Sequence, residues 1–514
     1  MTLYKNKGDC SDCNSYRGIS LLSIVGKVFA RVILTRLQVL AARVYPESQS
    51  GFRAGRSTTD MIFSVRQLQE KCQEQNQPLY LAFIDLTKAF DLVSRSGLFQ
   101  LLKKIGCPPK LHSIIQSFHT DTSSTVSYNG ASSDPFPISS GVKQGCVLAP
   151  TLFGIFFSLL LLYAFSENED GVYLHTRSSG RLFNLARLRA KTKVRHVTVR
   201  EALFADDAAL VTHTQEALQR LIDRFSHACE EFGLTINIKK TEVMGQGTDS
   251  WPIVYIGSQE LNVVDKFQYL GSIISSNLSL ESEINHRTAK AAAVMSKLHK
   301  RVWSNKNLTE NTKMKVYRAC VLSTLLYSSE AWVTYAAQER KLNSFHLRCL
   351  RRILGIRWQD RVPNTDVLER AGLPSIFTLL SQRRLRWLGH VRRMDDGRIP
   401  KDLLYGELAS GARSQGRPRL RYKDTCKRDM KCSAICIQSW ESLAECRDPW
   451  RTAVQSGTKQ AEQDRTDCQR KKRAARKSAP TEHAATAHTC RLCGRDCHSR
   501  IGLYSHARRC SSQT

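Results

Sequence analysis

The 514 residues lack any apolar run long enough to cross a bilayer. The most apolar stretch, Leu152 to Phe165, is interrupted by Gly154 and Ser158 and falls short of the roughly 20 residues that a spanning helix needs. It reads as a buried helix. Met1 is followed by Thr-Leu-Tyr-Lys-Asn-Lys, without the apolar centre of a secretory signal. No internal repeat is apparent, which argues against a repeat array. Acidic residues are in short supply, 46 against 77 Lys+Arg, leaving a net charge of +31. A field of that sign gathers polyanions, and nucleic acid is the commonest in a cell. A merely basic ribosomal or chromatin-type protein fits the charge equally well. The 17 cysteines are scattered singly except near the C-terminus, so a reducing intracellular setting with mostly free thiols is expected.

What is present is globular. Hydrophobic residues make up 41% and aromatics 8%, enough for at least one sizeable core, and the length suggests two to four domains. Residues 1 to about 275 alternate strand-like apolar runs with amphipathic helices, the pattern of an α/β module. From Leu280 to about Met394 the pattern is helical, and Leu347, Leu350 and Leu354 form one apolar stripe flanked by arginines. From Gly411 to Pro480 the chain is basic, with Arg470-Lys471-Lys472-Arg473 and Arg476-Lys477. A partly ordered region ending in a flexible linker is expected there, its basic run either a nuclear localisation signal or plain solvated chain.

Three carboxylates carry the chemistry. Leu79 to Ile84 is a mostly apolar strand ending at Asp85, and Leu203 to Val211 reads as two short strands joined through Asp206 and Asp207. Buried strands that deliver unpaired carboxylates cost several kcal/mol, on the order of the desolvation penalty of an ion, unless a cation meets them. A Mg²⁺ pair roughly 3.5–4 Å apart would do so, and is what nucleotidyl transfer requires.

Those acids and their surroundings resemble the reverse transcriptases of LINE-type (non-LTR) retrotransposons. Asp85 and Phe204-Ala205-Asp206-Asp207 are similar to motifs A and C, and Ser140 to Pro150 is similar to motif B. Asn14 to Leu22 and Gln49 to Ser57 resemble the finger motifs, Gly233 to Thr241 motif D, and Phe267 to Gly271 the primer-grip motif E, all in the family's order. The resemblance implies that Asp85 and Asp206 are metal ligands, that Asp207 is a weaker contributor, and that the Leu86 carbonyl completes coordination. It implies that Phe90, five residues after Asp85, is the steric gate against a ribose 2′-hydroxyl; related RNA-copying RNA polymerases place an acid there. Gln144 and Gly145 would lie against the templating base pair, Arg17 would touch the triphosphate, and Lys240 would protonate pyrophosphate. Gly18 stands where the family more often has proline, which loosens the Arg17 assignment. The insert from Ser166 to about Arg200, with its basic stretch Lys191 to Arg195, departs from the pattern and is expected as a solvated elaboration of the palm.

Near the end, Cys490 and Cys493, then twelve residues, His506, three more and Cys510 have zinc-finger spacing with cysteine as the last ligand. A segment of 21 residues cannot build a core unaided, so Zn²⁺ with S₃N ligation is the natural staple. Cys497 or His498 could substitute as a ligand. Cys10 and Cys13 form a second C-x₂-C pair without a partner pair nearby.

The expected architecture is therefore an α/β (α+β) right-hand polymerase: fingers and palm over 1–275, a helical thumb or connection over 276–405, a basic, partly disordered nucleic-acid-contacting region over 406–487, and a CCHC finger over 488–512. The expected function is RNA-directed DNA synthesis with two Mg²⁺ (Mn²⁺ as a substitute), with template RNA, primer or target DNA and dNTPs as partners, no membrane, and a nuclear destination after cytoplasmic synthesis and RNP assembly. The alternative is a decayed or domesticated derivative that only binds nucleic acid. No upstream endonuclease motif and no RNase H-like acid set are visible.

Overall fold

Strand Leu79–Ile84 lies at the centre of a five-stranded sheet whose order is Glu201–Phe204, Asp207–Thr212, Leu79–Ile84, Glu242–Gln246, Asn262–Val263. The computed structural model describes residues 2–5, 8–12, 15–128, 131–190, 192–411, 413, 419–478, 488–497 and 499–510. The chain divides into two units, Met1–Gln460 and Ala461–Thr514.

Side chains alternate across a strand, and here both faces are buried. Ala82, Ile84, Ala208, Leu210 and Val243 enter one core. Leu79, Leu81, Phe83, Ala209, Val211 and Met244 enter another. The first core is closed by helices Ile24–Val44, Ala149–Phe165 and Gln215–Glu231. The Leu152–Phe165 run is thus a buried helix, and among the described residues no helix is long and apolar enough to cross a membrane. Each fully buried Leu or Phe contributes about 1.5–3 kcal/mol, so the strands stay fixed even where they end in acids.

The second core backs onto helix Thr58–Glu74 and hairpin Lys266–Tyr269/Ser272–Ser275. A third core, from Leu280 to Leu380, is wholly helical, and Leu347, Leu350 and Leu354 lie buried in it. Helix Ile376–Arg392 joins the two: Ile376 and Leu380 belong to the third core, and Leu385, Leu388 and Val391 to the second.

Two regions are more ordered than their composition suggests. The insert forms a hairpin, Val172–Thr176 against Arg195–Val199, and Glu407–Leu408 adds a third strand beside Val172–Thr176. Val172, Leu174 and Val199 pack into the second core, and Arg195 pairs with Asp402 at 2.6 Å. A solvated loop would have no such inner face. The stretch after 406 is likewise helical over Tyr422–Cys432 and Arg447–Ser478, because Tyr422, Cys426, Met430, Trp440, Trp450 and Val454 complete the same core. Residues 414–418 and 479–487 lie outside the described residues, as do Cys13, Asn14, Lys191 and His498.

Candidate active site

The acids come together through strand register. Ala208 pairs with Ile84 in the antiparallel ladder, so one step further along both strands Asp207 comes level with Asp85. Phe204 pairs with Asp207 across a two-residue turn, Ala205 and Asp206. Ala205 has φ +60°, a conformation most residues avoid, and a specific clamp holds it there. The side chain of Gln49, fully buried, donates from Nε2 to the Ala205 carbonyl at 3.0 Å, and its Oε1 accepts from the Ala205 N–H at 2.8 Å. Gly51 approaches so closely that a Cβ there would lie 2.2 Å from the Ala205 nitrogen. Segment 49–51 is the mould in which the Asp206 turn is cast.

The electrostatics follow. Asp207 is exposed as a residue, yet its carboxyl is pushed up to about 6, first by desolvation and then by the negative charges of Asp206 and Asp85. Lys240 Nζ lies 3.0 Å from Asp85 Oδ2. The loop carrying Lys240 is tied to the Asp85 strand: Asn237 N–H donates to the Asp85 carbonyl at 2.8 Å and Thr87 N–H to the Thr235 carbonyl at 2.8 Å. Leu86 bridges Ile236 between those two bonds. In an antiparallel ladder such a residue turns its own N–H and C=O the other way, which leaves the Leu86 carbonyl directed away from the loop. The donor set here is oxygen, suited to a hard divalent cation.

Phe90 stacks on Phe153 with ring centroids 4.4 Å apart. Its carbonyl accepts from Val142 N–H at 2.9 Å, and Gly141 N–H donates to Val93 at 2.8 Å. Gly141 has φ +80°, and a Cβ there would meet the Asp91 carbonyl oxygen at 2.7 Å, so only glycine lets this loop lie against the Phe90 backbone. Further along, the Gln144 carbonyl accepts from Ser20 N–H at 2.7 Å, and Gly145, at φ +100°, faces the Ser20 carbonyl. Arg17 pairs through its backbone with Leu3; its side chain lies outside the described residues.

Sequence reasoning placed two contributors here inside a finger motif but gave neither a role. Gln49 is one. The other is Phe52, half exposed with φ +57°, which lies edge-on to Phe90 at 6.4 Å and 6.5 Å from Phe204. A bulky residue in the left-handed region is a local strain that the surroundings must hold. Nothing in local periodicity signals it. Beneath the strands, Phe267 stacks on Phe83 at 4.1 Å, and Tyr269 donates to the Ala202 carbonyl at 2.8 Å.

In the unit after residue 460, the ligand atoms of Cys490, Cys493, His506 and Cys510 all lie within 4.8 Å of one another. Tetrahedral zinc with Zn–S near 2.3 Å places its ligands roughly 3.8 Å apart, so the set fits that ion. A knuckle presents the first pair: Gly494 N–H donates to Cys490 at 2.8 Å and Cys490 N–H to Arg495 at 2.9 Å. Helix Arg500–Cys510 presents the second.

A family model described as reverse transcriptase (RNA-dependent DNA polymerase) matches residues 4–274. The chain is 25% identical over 437 residues to the RNA-directed DNA polymerase from mobile element jockey of Drosophila melanogaster, covering 83% of this chain and 44% of that protein. The jockey polymerase of Drosophila funebris is 26% identical over 366 residues, covering 69% and 37%. Among solved structures, apo telomerase from Candida tropicalis aligns with a TM-score of 0.34 at 15% identity, covering 74% of this chain and 62% of that one. The chain spans less than half the length of the two jockey proteins.

Proposed function

The chain belongs to the reverse transcriptase (RNA-dependent DNA polymerase) family, and from that premise we propose that it is an RNA-directed DNA polymerase of a LINE-type, non-LTR element, joining dNTPs to a primer 3′-hydroxyl on an RNA template. The observation that carries this reading is the convergence of Asp85, Asp206 and Asp207 at adjoining strand ends, where the Asp207 carboxyl holds its proton up to about pH 6. Crowded carboxylates repel one another unless a cation stands among them. Two Mg²⁺ suit the donors, with Mn²⁺ as a substitute; when bound, such ions activate the 3′-oxygen and stabilise the leaving pyrophosphate.

The chain's own groups divide the remaining work. Asp85, Asp206 and the Leu86 carbonyl supply the ligand oxygens, and Asp207 adds negative charge beside them. Lys240, already within hydrogen-bond distance of Asp85, can deliver a proton to the departing pyrophosphate. The Phe90 ring, backed by Phe153, occupies the space a ribose 2′-hydroxyl would need, and Phe52 walls the same pocket edge-on. Gln144 and Gly145 line the template side, and Arg17 contacts the triphosphate. Residues 276–405 act as thumb and connection, and 406–487 contact nucleic acid. One Zn²⁺ on Cys490, Cys493, His506 and Cys510 orders a finger that binds template RNA or target DNA. The run Arg470 to Lys477 directs the chain to the nucleus after RNP assembly in the cytoplasm.

The test is primer extension by purified protein on an RNA template with a DNA primer, dNTPs and Mg²⁺. The parent should extend, and Asp206→Ala should bind the primer–template without extending it. A parent that binds but never extends would point to the decayed, binding-only derivative.

A further inference from the structure

Helix Ile24–Val44 has two apolar faces, and the first core uses only one of them. Ala30, Ile33, Leu34, Leu37, Leu40 and Ala41 are buried in that core. On the opposite side Val25, Val28, Val32 and Val39 are 79, 62, 57 and 62% exposed, with Ile24 beside them at 81%. A surface helix normally turns polar side chains outward, and one that is apolar all round is normally covered. A contiguous apolar patch of this kind marks an interaction surface.

The spacing says what shape fits. Val25, Val28, Val32, Thr35, Val39 and Ala42 follow one another at alternating steps of three and four, the seam along which two helices interlock. Valine recurs every seventh residue, at 25, 32 and 39, and branching at that position favours a pair of helices over larger bundles. Thr35 donates its hydroxyl to the Arg31 carbonyl at 3.1 Å, so the one polar member of the seam is satisfied within its own helix.

The flanks choose the partner. Arg31 borders the seam on one side, Arg36 and Arg43 on the other. All three are exposed, and their guanidiniums make no hydrogen bond or ion pair among the described residues. The helix contains no Asp or Glu. A second copy would set arginine against arginine in either orientation, whereas acidic flanks would pair with them. A bilayer is a poorer match, because membrane-surface helices bury bulky Leu, Phe or Trp and this seam is mostly valine.

We propose that the outer face of helix Ile24–Val44 docks an amphipathic helix of another protein, one whose apolar seam is bordered by Asp or Glu. The inference is independent of the polymerase reading and uses none of the residues assigned to that site.

The experiment titrates the full chain into a labelled synthetic helix of about four heptads, with valine and leucine at its seam and glutamate on both flanks. Fluorescence anisotropy reads the binding. The parent should bind this peptide and bind its twin with lysine flanks roughly tenfold or more weakly. The variant V25Q/V32Q/V39Q should lose roughly tenfold or more in affinity for the glutamate peptide, while its melting temperature holds, because these side chains lie outside the core. The charge swap R31E/R36E/R43E should reverse the preference and take the lysine peptide. Absence of binding by the parent overturns the proposal, as do equal binding of the two peptides and binding that survives V25Q/V32Q/V39Q. If light scattering finds the parent dimeric and V25Q/V32Q/V39Q monomeric, the face belongs to a second copy. If the parent binds phosphatidylcholine–phosphatidylserine vesicles and that variant does not, it belongs to a membrane. Either result overturns the acidic helix. Primer extension plays no part in the readout, so failure of the polymerase reading would leave this result standing.

Discussion

Lys240 Nζ stands 3.0 Å from Asp85 Oδ2, so the end of the central strand is met by a cation from the loop that follows strand Asp207–Thr212 and its helix. Both partners are substantially exposed, and an exposed pair contributes only about 0–1 kcal/mol. Stability is therefore not the reason to keep it. Lys240→Ala should leave the melting temperature nearly unchanged, while single-nucleotide incorporation slows by about 100-fold or more, the range of general acid catalysis. Lys240→Arg should recover little, because a guanidinium gives up its proton poorly. Rapid-quench kinetics would read both; an undiminished rate in Lys240→Ala would leave the residue as a surface lysine.

Asp206→Asn keeps the shape of the Ala205–Asp206 turn while removing a charge that acts on Asp207. Extension should fall by three orders of magnitude or more, on the scale of losing a metal ligand from the reacting centre. The metal-free melting temperature should hold or rise slightly, because a repulsion is gone. Loss of folding would instead assign Asp206 a structural role.

The pH dependence has a definite sign. The Asp207 carboxyl titrates at about 6 in the folded protein, against an ordinary value of 3.8. Between those values the folded state keeps a proton that the unfolded chain has released, so metal-free stability falls as pH rises from about 4 to about 6 and then levels. Added Mg²⁺ competes with that proton, so its stabilising effect should grow over the same interval. Thermal melts with EDTA or Mg²⁺ across pH 4–8 would show the crossover, and Asp207→Asn should flatten both curves.

Phe90→Ala should lower discrimination between dNTP and rNTP by on the order of 10- to 200-fold, the worth of steric contacts in one pocket. Phe52→Ala should have the same direction and a smaller size, because its ring touches Phe90 edge-on at 6.4 Å instead of backing it. The ratio of kcat/KM for the two sugars is the measurement; an unchanged ratio in Phe90→Ala places the gate elsewhere.

Purified under reducing conditions, the chain should carry one zinc by elemental analysis. His506→Ala should lose it and expose the thiols of Cys490, Cys493 and Cys510 to a thiol reagent, since a segment this short cannot build a core unaided.

The meeting of the strand-end acids and the grouping of Cys490, Cys493, His506 and Cys510 were legible in the sequence because each is a local pattern: apolar strands ending in Asp, and a spaced Cys/His quartet. The structure joins Asp85 and Asp207 through register that the two strand patterns already imply. The motif from Gln49 to Ser57 was legible, but the clamp role of Gln49 was not, since its bonds to Ala205 cross 156 positions. The role of Phe52 within that motif was hidden for a similar reason, as it depends on a backbone conformation and on two distant rings. Composition misled around 406–478, where charged residues outnumber apolar ones but Tyr422, Trp440 and Trp450 supply large buried surfaces from few positions. The insert read as solvated because its third strand, Glu407–Leu408, comes from far downstream.

Helix Ile376–Arg392 is fixed at both ends, by Ile376 and Leu380 in the helical third core and by Leu385, Leu388 and Val391 in the core behind the five-stranded sheet. Gly389 lies so close to Trp450 that a Cβ there would be 2.1 Å from the indole nitrogen, which itself donates to Leu385 at 3.0 Å. A rod pinned in this way behaves as a gear shaft and not as a hinge. Any rotation of the third core's helices must therefore turn the second core behind the sheet or break the Trp450 contact.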